Sequence, residues 1–333
     1  ETQENFTISR GAGEGRLQGA RAGGAPRERA EVEVRAEGRV ELVLGTMNSG
    51  QGHETSFAQL LTEWLGVPFD SIDFVAHDTN RVSVGGGSHS GRSMRIASLA
   101  IGIATDAIIE KGKKIAARLF EVSAADVDFA KGVFSVAGTD RRIGIFEVAK
   151  AAATRGDLPD DLKGTLDAVG DHTVSVGAYP SGTHICEVEV DPETGFVQIE
   201  RWAAVDDVGL AVNPLILHGQ THGAAAQGIG QALMESCHYE RDSAQLLSAT
   251  FMDYAIPRAD NLPSFDCCLV EVPATSHRYG IRPGGEGGTT PALGAVINAV
   301  VDALAEYGVK HVEMPATPER VWRAIQAGKR ASA

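Results

Sequence analysis

The chain has 333 residues, of which 30 are basic and 44 acidic, for a formal charge of -14. That length suits two domains, and a 43% hydrophobic share is that of an ordinary globular protein. The acidic balance argues against a nucleic-acid binder, which needs a basic surface for phosphates, and against docking to anionic lipid.

In chain order, residues 1–30 are rich in Gly, Ala and Arg, lack apolar periodicity, and are expected to form an irregular leader. Residues 31–34 (EVEV) and 40–44 (VELVL) alternate around Glu37-Gly38 and predict a β-hairpin. A Gly-rich stretch, 45–53, then leads into an amphipathic helix over 55–65. A second Gly-rich stretch, 85–93, opens a long helix over about 92–120, with Ile96, Leu99, Ala100, Ile103, Ala107 and Ile108 at helical spacing. The order then recurs. Residues 187–190 and 196–199 form a second hairpin, followed by Gly219-Gln220 and a helix to about 235. Helices are expected over 292–307 and 318–327 as well. The repeat predicts an α+β fold of two similar lobes, 31–175 and 176–333, each a mostly antiparallel sheet flanked by helices.

Four polar or Gly-rich loops are placed before helices. They are GQGHET at 50–55, GGGSHSGRS at 85–93, GQTHG at 219–223 and GGEGGTTP at 284–291. Helix N-termini present unpaired N–H groups and positive partial charge, and Gly lets a ligand approach that backbone. Several such termini suit an anionic, phosphate-bearing cofactor. Glu286, flanked by four glycines, is the candidate base, because close packing of another body there would desolvate it.

Other signatures are missing. There is no Walker A sequence, no paired zinc-protease His, and no strand leading into a G-x-G-x-x-G. Cys186, Cys237, Cys267 and Cys268 have no CxxC spacing and read as free thiols in a reducing compartment, so a cytoplasmic location is expected. No apolar run reaches the ~20 residues of a membrane span.

These loops, with Asn213-Pro214-Leu215 and QGIGQAL at 227–233, resemble the molybdopterin-binding large subunit of the xanthine dehydrogenase family, which includes aldehyde oxidases and aerobic carbon monoxide dehydrogenase. The resemblance covers about 31–312. It implies a molybdenum cofactor, molybdopterin or its cytosine dinucleotide form, whose metal takes no ligand from the protein. It implies Glu286 as general base and cofactor contacts from Gln51, Gly52, His53, Ser90, Gly91, Arg92, Ser93, Gln220, Gly284 and Gly285. The activity implied is oxidative hydroxylation of a small molecule with water as the oxygen source. The iron–sulfur clusters and FAD of the family are expected on partner subunits only, together with an N-terminal molybdopterin-binding half. One alternative is a catalytically incompetent cofactor-binding fragment that needs that half. Another is a hydrolase using Ser88 or Ser90 with His89, against which the adjacency of these side chains argues.

Overall fold

The structure, a computed structural model, describes residues 2–4, 26–175 and 177–331. A short first strand, β1 (Thr2–Glu4), stands where an irregular leader is expected, and the next strand begins at Arg27, ahead of the expected Glu31. Residues 5–25 of that leader lie outside the described residues. Contacts divide the described residues into two compact units: 26–178 with 273–282, here the N-terminal unit, and 2–4 with 179–272 and 283–331, the C-terminal unit.

In the N-terminal unit, β2 (Arg27–Val34) alternates strictly, so Glu28, Ala30, Val32 and Val34 all face inward. It pairs antiparallel with β3 (Val40–Leu44), as the hairpin pattern predicts. Helix α1 (His53–Leu65) starts two residues earlier than its apolar pattern suggests. It returns the chain to β4 (Ile72–Val75), which lies parallel to β3. Helix α2 (Ser93–Phe120) buries Ile96, Ala100, Ile101, Ala104, Ile108 and Ile115, which share one face of the helix. Each large aliphatic residue so buried contributes about 1.5–3 kcal/mol. A small antiparallel sheet follows, β5 (Val127–Ala130), β6 (Val133–Val136) and β7 (Arg142–Gly144), and then α3 (Ile145–Thr154). Strand β8 (Leu166–Thr173) pairs antiparallel with β2, giving the order β4-β3-β2-β8.

The C-terminal unit repeats this topology. Strands β9 (Ser181–Val190) and β10 (Val197–Asp207) form the second hairpin. Its turn is closed by Asp191, whose carboxylate accepts from Glu193 N and Thr194 Oγ1. Helix α4 (Pro214–Leu233) leads to β11 (Phe265–Val270), parallel to β10. With β1 antiparallel to β9, the order is β1-β9-β10-β11. Helices α5 (Thr289–Ala303) and α6 (Pro318–Ala331) complete the unit. Trp202, Ile229, Val296, Val300, Val321 and Ile325 join in one buried cluster. All four cysteines are free thiols, and burial pushes Cys186 up to about 12 and Cys267 to about 11. Each unit thus runs hairpin, helix, parallel strand, helix, and the candidate residues lie in the loops before these helices or in the helices' first two turns.

Candidate functional site

In the N-terminal unit the β3–α1 and β4–α2 loops meet back to back. Gly45 and Gly85 approach so closely that a Cβ on Gly45 would stand 2.2 Å from Gly85 Cα. Side chains then link the loops. Gln51 Nε2 donates to Ser88 Oγ at 2.8 Å, and Ser88 Oγ lies 2.8 Å from Ser93 Oγ at the start of α2. Gly52 caps α1 in the left-handed region. Ser90 and Gly91 are both left-handed, with φ of 50° and 62°, and Ser90 is exposed.

Two of the residues expected to contact ligand face inward instead. Arg92 is 3% exposed, and its Nη1 donates to Glu28 Oε2 at 2.7 Å and to Gly87 O at 2.6 Å. Its Nη2 donates to Arg27 O at 2.8 Å. The physical reason is Glu28, a fully buried carboxylate that must be paired. His53 is buried on Phe57, with Nδ1 3.0 Å from Met47 O. Burial lowers its pKa and so favours the neutral ring, and because the Met47 carbonyl can only accept, Nδ1–H is the donor.

In the C-terminal unit, the segment 219–223 is not a loop. Asn213 caps α4, its Oδ1 accepting from Ile216 N at 3.0 Å, and Pro214 opens the helix, so Gln220 sits in its second turn. The loop before α5 packs onto that helix. A Cβ on Gly288 would meet Thr221 O at 2.7 Å, and Thr289 Oγ1 donates to Ala224 O at 3.0 Å. A Cβ on Gly285 would lie 3.5 Å from Gln220 Nε2, and one on Gly284 would press on Leu217 and Val208. Gln220 and the Gly284-Gly285 pair are therefore neighbours. Glu286 is exposed at the loop tip, so its own unit does not supply the desolvation expected of it. Beneath Gln220, Asp206 accepts from Thr221 Oγ1 at 3.1 Å and lies 3.0 Å from His184 Nε2, all three buried.

Sequence reasoning passes over Glu28, Asp206, Thr221 and His184, and names Ser88 only as a hydrolase nucleophile, not as the link between the loops. A signal existed for the two acids. Extending the inward alternation of Val34, Val32 and Ala30 lands on Glu28, and that of Trp202 and Ala204 lands on Asp206.

The donor set fits an anionic cofactor that brings its own metal ligands. It consists of helix N-termini, hydroxyls and side-chain amides. Among the described residues, Gly50 and Gly87, with φ of +104° and +75°, have no atom other than those of their chain neighbours within 4 Å of where a Cβ would stand, leaving open space beside both loops. Among the described residues, no three His, Cys, Asp or Glu side chains are grouped to hold a metal ion. His89 Nδ1 does come 3.0 Å from Ser90 Oγ, so adjacency does not forbid that contact. Its Nε2, however, is 2.9 Å from the Gly86 carbonyl, where a hydrolase would place an orienting carboxylate on the ring's far nitrogen.

Residues 6–263 match the molybdopterin cofactor-binding domain family, and the chain belongs to it. It is similar to the nicotine 6-hydroxylase large subunit of Paenarthrobacter nicotinovorans, 35% identical over 96% of this chain and 40% of that protein. It is also similar to the 6-hydroxypseudooxynicotine dehydrogenase complex subunit gamma of the same organism, 36% identical over 89% of this chain and 37% of that one. Among solved structures, carbon monoxide dehydrogenase from Oligotropha carboxidovorans superposes with a TM-score of 0.86, at 28% identity over 93% of this chain and 40% of that chain. The chain thus spans about 40% of the length of the relatives it matches. The fold is the α+β fold of molybdenum-hydroxylase cofactor-binding domains. Among the described residues, no helix is long and apolar enough to cross a membrane.

Proposed function

We propose that this chain holds the molybdenum cofactor in the large component of a cytoplasmic molybdenum hydroxylase that oxidises a small molecule with oxygen from water. The observation that carries this reading is the linking of two family loops through Gln51, Ser88 and Ser93, with open space left beside Gly50 and Gly87. Gln51, Gly52, Ser90, Gly91, Ser93, Gln220, Gly284 and Gly285 contact the cofactor, while Arg92 and His53 support it from behind the loops. When bound, the cofactor, as molybdopterin or its cytosine dinucleotide form, supplies the two-electron oxidation. Glu286 accepts the proton from the water that provides the oxygen. Gly285, exposed beside it, leaves the backbone there open to a bound group, and Gln220, next to Gly285, orients that group. Electrons leave to iron–sulfur and FAD partner subunits, a reading favoured by relatives named as a large subunit and as a subunit of a dehydrogenase complex. The remaining part of the large subunit completes the substrate site. Four free thiols favour a reducing compartment.

The test is Glu286→Gln in the assembled enzyme. Single-turnover reduction per molybdenum is expected to fall by about 10²–10⁴-fold, the worth of a positioned base, with cofactor content unchanged. A rate within about threefold of wild type removes Glu286 from that role.

A further inference from the structure

We propose that Glu28 is a positioning residue for cofactor binding, setting with Arg92 the shape of both N-terminal Gly-rich loops before a ligand arrives. This rests on the reading of those loops as cofactor contacts.

Glu28 occupies a core-facing register of β2 and is 0% exposed. A buried carboxylate costs several kcal/mol unless donors surround it. Its donors come from separate segments. Gly45 N at 3.2 Å and Thr46 Oγ1 at 2.9 Å belong to the β3–α1 loop, and Arg92 Nη1 at 2.7 Å stands at the mouth of α2. Arg29 N, on the same strand, adds a fourth at 3.2 Å. Arg92 extends the reach by holding Gly87 O in the β4–α2 loop. One buried charge pair therefore grips both loops, and neither loop can shift without stranding a charge.

Stability alone does not call for this arrangement, because well-packed apolar residues serve a core as well as a buried ion pair or better. Its particular effect is geometric. It fixes Gly45 against Gly85, where the two backbones touch, and thereby the register in which Gln51 meets Ser88, which in turn meets Ser93.

The experiment compares Glu28→Gln, the double variant Glu28→Gln/Arg92→Gln and the surface control Asp73→Asn in the enzyme produced with its partner subunits. Three quantities are read: hydrogen exchange at 45–52 and 85–91, molybdopterin per chain, and the thermal midpoint. In Glu28→Gln, loop exchange is expected to rise about tenfold and cofactor content to fall about fivefold, as the binding-competent fraction drops. The double variant leaves no lone buried charge, so its midpoint recovers while loop exchange stays fast and cofactor content low. An ion pair with a purely structural role would restore all three. Asp73→Asn, which loses only an exposed pair with Arg39, leaves every readout at wild type.

Wild-type loop exchange and cofactor content in the double variant overturn the proposal, and if Glu28→Gln does not fold, that variant decides alone. A wild-type enzyme without molybdopterin refutes the cofactor reading instead. Loop exchange measured on that same protein still decides whether Glu28 shapes the loops.

Discussion

Replacing Gly45 by Ala tests the back-to-back contact on which the N-terminal site depends. The new Cβ would meet Gly85 Cα at 2.2 Å, Val84 O at 2.7 Å and Glu28 Oε1 at 2.8 Å. The first two are backbone atoms with no rotamer to retreat into, so the loops must part by more than about 1 Å to regain ordinary contact. Overpacking of this kind costs about 1–3 kcal/mol. Loosening Glu28 from Gly45 N and Thr46 adds about 1–2 kcal/mol for weakened bonds to a buried charge. A loss near 3 kcal/mol in a unit of this size lowers its midpoint by about 6–12 °C. The assay is differential scanning calorimetry beside Gly156→Ala, where a Cβ meets nothing within 4 Å and the change stays within about 1 kcal/mol of wild type. A Gly45→Ala protein that also stays within about 1 kcal/mol of wild type would refute the contact.

Burial depresses the pKa of both His53 and His277 from an ordinary value of 6.5. Their contribution to stability is therefore complete above that value and is lost as pH falls through the lower folded values. The N-terminal unit's midpoint should drop between pH 7 and pH 5, and His53→Asn should flatten that slope; an unchanged slope contradicts the neutral, buried ring. Asp206→Ala removes the acceptor of the buried Thr221 Oγ1 and should cost about 1–3 kcal/mol, read as a lower denaturation midpoint. A loss under about 0.5 kcal/mol would mean Asp206 does not hold α4 in place.

The hairpins were legible because their inward residues, Val32, Val34, Val40 and Leu42, follow the two-residue period of a strand. The α2 stripe was legible for the corresponding helical reason. The start of α4 was misplaced because Gly219, Gly223 and Gly228 look like loop residues, although Asn213-Pro214 already spelled a cap and a first turn. The parallel pairings β3–β4 and β10–β11 join segments separated by a helix, which no local pattern reports. The loop residues of the site could be named from the sequence, but their division of labour could not. Arg92 and His53 turn inward only because Glu28 and the α1 core receive them, a consequence of tertiary packing.

Cofactor binding itself is tested most directly by molybdenum and pterin content in the chain purified together with its partner subunits. The expected result is near-stoichiometric cofactor in the wild type and a clear loss in Gln51→Ala and in Gln220→Ala, with the fold intact by circular dichroism. Wild-type protein lacking molybdopterin, or undiminished content when both glutamines are replaced together, would contradict it.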